Sequence, residues 1–340
     1  MLLEFILIFI VSLVFVKVLV ATAFRLGLVD VPNGRSMHAY HTPRGAGIGF
    51  FLAVALVTPF FHMDLYSKHA LTLLAIAMVF VVGVLDDHHD TSPKTKFLVI
   101  GLAAILVCMD GICVSSLGTL FNFEMRLGWF AMPFTVFAIV GFTNALNLVD
   151  GLDGLAGSIS VIILSTLFMV GYYYSDHFMM TLSGAFISAL LAFLVFNWNP
   201  AKIFMGDSGS LVLGFVIGLL VIQAATYIQP VSVLFIIALP IIDTIIVMIR
   251  RKRHGHSMFK ADKTHIHHIV YKFFNQNVKK TVLFLAILQA VYSVTALLIV
   301  EHSDQSLTLI LFGLNTLILY FILSEMLHRQ GKQTVKKTIA

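Results

Sequence analysis

The chain has 340 residues, 59% of them hydrophobic and only 11% charged, with a mean hydropathy of +0.96. That balance excludes a soluble globular domain. The formal net charge of +5 calls for no nucleic-acid partner, because membrane topology accounts for an excess of Lys and Arg.

Apolar runs, most of them about 17–20 residues and so long enough for ~30 Å of hydrocarbon, recur along the whole chain. They fall near 2–24, 45–62, 69–86, 96–109, 128–146, 157–174, 178–196, 209–226, 231–249, 281–300 and 306–326. The runs lack the two-residue alternation of barrel strands, so they predict helices. No basic residue precedes the first run and no small-residue cleavage site follows it, which reads as a retained helix rather than a signal peptide. The expected fold is an all-α polytopic membrane protein with about eleven transmembrane helices. One catalytic domain covers 1–326, and a basic tail covers 327–340.

Charge asymmetry orients the spans. Nineteen of the 22 Lys and Arg fall in the alternate loops 25–44, 87–95, 197–208 and 250–280, at Lys96 and in the tail. Only Lys68 and Arg126 lie in the opposite loops, and Lys17 lies inside the first run. The positive-inside rule then places the N-terminus outside and the C-terminus in the cytoplasm. The polar loops 25–44, 87–95, 147–156, 197–208 and 250–280 share the cytoplasmic face.

Those loops hold the chemistry. The first is basic and glycine-rich at a helix start, with Arg35 and then Arg44-Gly45-Ala46-Gly47-Ile48-Gly49, a pattern that suits an anion. Asp86, Asp87 and Asp90 end the third run, where carboxylates oppose the helix dipole and repel one another unless a cation intervenes. Such a group suits Mg²⁺, a hard ion that prefers oxygen and keeps places for water and substrate phosphate. Cys108 and Cys113, near an outer boundary, read as packing residues or a disulfide.

Asn144, Asn147 and Asp150 recur every third position and lead into Gly151, Asp153 and Gly154. If helical, they share one side, and their amides and carboxylates can hold a metal or read a base and ribose. Gly206-Asp207-Ser208-Gly209 opens the eighth run as an N-cap region with a third acidic ligand candidate. Asp243, inside the ninth run, is an intramembrane acid and therefore a functional candidate, or else the partner of a neighbouring Lys or Arg. The 250–280 loop joins Arg250, Arg251, Arg253 and Lys263 to His254, His256, His265, His267 and His268. This combination suits phosphate binding, with zinc as the alternative.

The ordered set Asp-Asp-x-x-Asp, Asn-x-x-Asn-x-x-Asp-Gly-x-Asp-Gly, Phe-Met-Gly-Asp-Ser-Gly and His-Ile-His-His resembles the polyprenyl-phosphate N-acetylhexosamine-1-phosphate transferases. The likeness spans about 34–270. These are polytopic enzymes that move a sugar phosphate from a UDP-sugar to a lipid phosphate. The His-Ile-His-His form is similar to the branch that uses UDP-N-acetylglucosamine and initiates O-antigen, enterobacterial common antigen or teichoic acid synthesis. The branch that transfers phospho-MurNAc-pentapeptide carries a Lys where this chain has Asp90.

The resemblance implies Asp86, Asp87 and Asp207 as catalytic residues, one of the paired Asp86 and Asp87 assisting the lipid phosphate. It implies Asp207, Asn147 and Asp86 around Mg²⁺, with Mn²⁺ as a substitute. Asp153 with Gly151 would read the uracil, and His265, His267 and His268 would engage the pyrophosphate. Asn144, Asp150, Lys202 and Arg250 join the nucleotide-sugar side, and Arg44 and Lys94 the lipid-phosphate side. The implied partners are undecaprenyl phosphate, UDP-N-acetylglucosamine, the bilayer of the cell membrane and a second copy of the chain in a homodimer. Attack of the lipid phosphate on the β-phosphorus, directly or through an aspartyl-phosphate, would release UMP. An ion-coupled transporter is the competing class; it would set its acids near the bilayer midplane.

Overall fold

The structure is a computed structural model that describes residues 1–32, 40–253, 255, 265–299 and 304–339, with side chains as far as 328 in the last helix. Fourteen helices follow in chain order: α1 (Leu2–Thr22), α2 (Ala46–Val57), α3 (Met63–Lys68), α4 (Ala70–His89), α5 (Pro93–Met109), α6 (Ala131–Val149), α7 (Leu155–Tyr173), α8 (His177–Asn197), α9 (Asp207–Ala224), α10 (Pro230–Ile236), α11 (Ala238–Arg253), α12 (Ile266–Phe273), α13 (Val278–Ile299) and α14 (Gln305–Ile339). All eleven apolar runs are helical. Among the described residues, eight helices are long and apolar enough to cross a membrane, and α10 with α11 makes a ninth if that bent pair is one span. The remaining two runs form the shorter helices α2 and α5. The chain is a mostly helical, polytopic membrane protein.

α9 is the centre of the bundle. Sixteen of its 18 residues are buried, and it packs against α2, α4, α5, α6 and α7. Exposed Leu, Ile, Val and Phe side chains stud α1, α13 and α14 at the periphery, where lipid rather than water is the natural neighbour. The sequence reading missed two small antiparallel sheets. β1 (Val29–Asp30) pairs with β2 (Thr42–Pro43), and β3 (Ser116–Leu120) pairs with β4 (Phe123–Arg126). Beside the first sheet, Phe204 donates its N–H to Pro43 O, while Ala46 and Gly47 donate theirs to Phe204 O and Met205 O. The entries to α2 and α9 are thereby fastened together.

The ninth run is broken. α10 and α11 meet at 88°, with Pro240 in the first turn of α11, where its missing N–H costs least. The break leaves backbone groups without helical partners, which is unfavourable in an apolar setting. Gln289 of α13 satisfies them. Its Oε1 accepts the Leu239 N–H at 3.0 Å, and its Nε2 donates to Ile236 O at 2.8 Å.

At the end of the bundle away from the acidic motifs, Cys108 and Cys113 are free thiols with their Sγ atoms 2.8 Å apart.

Candidate active site

The C-terminal ends of α4 and α6 and the N-terminal ends of α2, α7 and α9 converge on one cavity of about 640 Å³. Its wall includes Arg44, Asp87, Asn147, Asp150, Gly151, Asp153, Asp207 and His268 from the motifs, together with Asp30, Tyr40 and Thr42.

Asp87 and α9 are built as one unit. Asp87 is 2% exposed, and its Oδ1 and Oδ2 accept the backbone N–H groups of Asp207 and Ser208 at 2.8 and 3.1 Å. An acid from another helix therefore caps α9, satisfying donors that no intrahelical carbonyl reaches. Asp207 is the first residue of α9, not its cap. Gly206 precedes it at φ +74°, and a Cβ there would lie 2.6 Å from the Asp87 carboxylate. Only glycine meets both conditions.

Lys96, on the first turns of α5, joins the two acidic motifs. Its Nζ stands 3.1 Å from Asp86 Oδ1 and 2.8 Å from Asp207 Oδ2. In the sequence, Lys96 stands out only as a boundary residue for topology. A usable signal was present, because a lysine near a helix N-terminus opposes the dipole and calls for acidic company. Thr91 Oγ1 also donates to Asp86 Oδ1, at 2.6 Å. Asn147 Nδ2 donates to Asp207 Oδ1 at 3.2 Å and to Ser210 Oγ at 2.7 Å, tying α6 to α9.

α6 ends at Val149, so Asp150 lies just past the helix. Burial, and then the carboxylates of Asp207, Asp87 and Asp153, push the Asp150 pKa up to about 7. Part of its surface opens to the cavity, yet protein walls it on the other sides. Asp153 Oδ2 accepts from Asn199 Nδ2 at 2.8 Å and from the Ala201 N–H at 3.0 Å. Asn197 Oδ1 accepts the Gly154 N–H at 2.8 Å. The 197–201 segment thus clamps the 151–154 loop.

Arg44 donates from Nη2 to Asp87 O at 2.6 Å. Its Nε is buried with no hydrogen-bond partner among the described residues. A buried guanidinium donor left over at a cavity wall suits an anion.

The histidine cluster divides. His268 lines the cavity. His267 is 3% exposed; burial and its histidine neighbours depress its pKa to about 3, so the ring is neutral. His267 packs against Gly151 so closely that a Cβ on Gly151 would lie 2.5 Å from its Nε2. His265 Nδ1 is 2.8 Å from Asp243 Oδ2. The expected Lys or Arg partner of Asp243 is therefore a histidine.

Several expected residues stay off the cavity wall. Asn144, Asp86, His265 and His267 do not line it, and Lys94 and Lys202 are exposed outside it. The Arg250 guanidinium lies 5.7 Å from the Tyr320 ring centroid. Asp90 takes a left-handed backbone at φ +46°, and its exposed carboxylate stands 4.0 Å from Arg44. Arg35, His254, His256 and Lys263 lie outside the described residues. Among the described residues, no three His, Cys, Asp or Glu stand close enough to hold a metal unaided. A closed zinc site of the structural kind is not formed by them.

A paired-acid, asparagine and glycine-aspartate cavity at one end of a helical membrane bundle can hold phosphate groups beside a cation. Residues 69–225, from α4 to just past α9, match the family described as glycosyl transferase family 4. The probable undecaprenyl-phosphate N-acetylglucosaminyl 1-phosphate transferase of Bacillus subtilis (strain 168) is 35% identical over 323 residues, 92% of this chain and 88% of the relative. The undecaprenyl-phosphate alpha-N-acetylglucosaminyl 1-phosphate transferase of Escherichia coli (strain K12) is 36% identical over 74% of this chain and 71% of its own length. That of Yersinia pestis is 36% identical over 79% of this chain and 76% of its own length. The chain belongs to this family of glycosyl transferases.

Proposed function

We propose that the protein transfers N-acetylglucosamine 1-phosphate from UDP-N-acetylglucosamine to undecaprenyl phosphate and releases UMP. One observation carries the reading: carboxylates, amides and a buried arginine donor from five helix ends line a single cavity. The names of the relatives point to the same acceptor and sugar. Acids gathered at one bundle end, rather than halfway along the helices, are not what an ion-coupled transporter needs.

The residues present fit Mg²⁺. Asp86 and Asp207 already share one cation, the Lys96 ammonium, so the gap between them accepts positive charge. Asp207, Asn147 and Asp86 would hold the ion together with substrate oxygens and water, the arrangement Mg²⁺ prefers to an all-protein cage. When bound, it supplies neutralisation of the diphosphate charge.

The chain's own residues do the rest. Arg44 offers its buried donor to the acceptor phosphate, so that two anions approach each other without full repulsion. Asp87 holds the α9 N-terminus, and with it Asp207, in register. Asp150, which keeps its proton up to about pH 7, is the wall carboxylate best matched to exchanging one with a phosphate monoester. Asp153 and Gly151 form the base side, and His268 the pyrophosphate side.

The proposed setting is the cell membrane, crossed eleven times, with the N-terminus outside and the cavity facing the cytoplasm. The Lys and Arg asymmetry supports it, as does the placing of every motif at the same bundle end.

The deciding assay supplies purified protein with Mg²⁺, undecaprenyl phosphate and tritiated UDP-N-acetylglucosamine. Lipid-extractable label and UMP are expected. A parallel panel of UDP-N-acetylhexosamines assigns the sugar, and absence of product with every one of them overturns the proposal.

A further inference from the structure

Asp243 is 3% exposed and lies on α11 just past the break. Both of its oxygens are spent on the start of α12. Oδ2 stands 2.8 Å from His265 Nδ1, and Oδ1 accepts the Ile266 N–H at 2.7 Å. The Oδ2–Nδ1 contact sets the orientation of the His265 ring.

From there a line of contacts runs to the cavity. The His265 ring stacks on His267 at 5.7 Å and 15°, and His267 meets His268 at 4.2 Å. Among the described residues, His267 Nε2 is buried without a hydrogen-bond partner, against the Gly151 backbone. His268 reaches the cavity wall. None of these contacts involves Asp86, Asp87 or Asp207. As a simple tie between helices, Asp243 would be an expensive choice, since a buried carboxylate carries a desolvation cost that an apolar contact avoids. Its distinctive ability is to hold a backbone N–H and a ring nitrogen at once, as carboxylates do behind functional histidines.

We propose that Asp243 is a positioning residue for the nucleotide-sugar side: through His265 and the first turn of α12 it seats His267 and His268 against Gly151 and the cavity. This rests on the UDP-sugar reading above.

The test uses the full chain in detergent, with Asp243→Asn, His265→Gln and the double variant. UMP binding is measured by calorimetry, and KM is measured separately for the UDP-sugar and for undecaprenyl phosphate. The expected result is a rise of about tenfold or more in the UMP Kd and the UDP-sugar KM, with the KM for the lipid phosphate unchanged. Because both residues act through one link, the double variant is no worse than the more affected single variant. Unchanged UMP binding, equal losses for both substrates or additive effects would overturn the proposal. If Asp243→Asn fails to fold, His265→Gln carries the test, because it cuts the same link without leaving Asp243 short of its Ile266 bond. Wild-type protein that binds no UMP sinks the UDP-sugar reading and this inference together. Wild-type binding matched by the variants sinks only the inference.

Discussion

Asp87 Oδ1 accepts the backbone N–H of Asp207 at 2.8 Å, so one motif carboxylate fixes where the other begins its helix. Asp87→Asn keeps one acceptor but turns an NH2 group toward a backbone donor. Stability should fall by roughly 1–3 kcal/mol, the cost of leaving a buried donor unsatisfied, and turnover should fall with it. Asp86→Asn, which touches no α9 backbone N–H, should lower turnover with little change in Tm. Thermal unfolding of both variants in detergent, beside their turnover, checks the contrast; equal Tm losses would remove the capping role.

Lys96 occupies the space between Asp86 and Asp207 that a divalent cation would also seek. Lys96→Gln removes that competitor and leaves two facing carboxylates. The Mg²⁺ concentration for half-maximal effect should drop, while kcat falls for want of a fixed positive charge. A Mg²⁺ titration of turnover reads both numbers. A variant needing more Mg²⁺ than wild type would mean that Lys96 assists the ion instead.

Asp150 provides the pH dependence. Its folded pKa is raised to about 7 from an ordinary 3.8. Between these values the folded form binds more protons than the unfolded one, so stability falls as pH rises across the window. The penalty at pH 8 has an upper bound of about 4 kcal/mol. Asp150→Asn should therefore be more stable than wild type at pH 8 and nearly equal to it at pH 4. Added Mg²⁺ should narrow the gap at pH 8 by favouring the ionised carboxylate. A difference in Tm that does not vary with pH would contradict this.

Gly151 and His267 compete for the same few ångströms. Gly151→Ala should displace the imidazole and weaken UMP binding, and His267→Ala in that background should recover part of the lost Tm. His267 also has a pKa of about 3 in place of 6.5. The unfolded chain therefore binds more protons in that window, and this residue's contribution to stability is lost as pH falls below 6.5. In the His267→Ala single variant, the acid-side decline in Tm should be shallower than in wild type.

Much of this architecture is legible in the residues, because apolar length and charge asymmetry are one-dimensional signals. Every run is helical, one of them as a broken pair, and Asp87, Asn147, Asp150 and Asp207 line one cavity. What escaped depended on three dimensions. Asp30 and Tyr40 reach the cavity through a two-residue sheet that no pattern announces. The continuous apolar run 231–249 hid a right-angled break, for which Pro240 was the available sign. Asn144 shares a face with Asn147 yet does not line the cavity. Arg250, expected on the nucleotide-sugar side, is buried beside Tyr320, a contact its charge does not announce.

The cavity is made from the tips of helices, and that has a mechanical consequence. A helix advances about 1.5 Å per residue along its axis, so a slide of one residue by α4 against α9 would carry Asp87 clear of the N–H groups it holds. Bilayers thinner or thicker than the apolar belt exert such axial forces. Turnover in vesicles of graded acyl-chain length should therefore peak at one bilayer thickness and decline on either side.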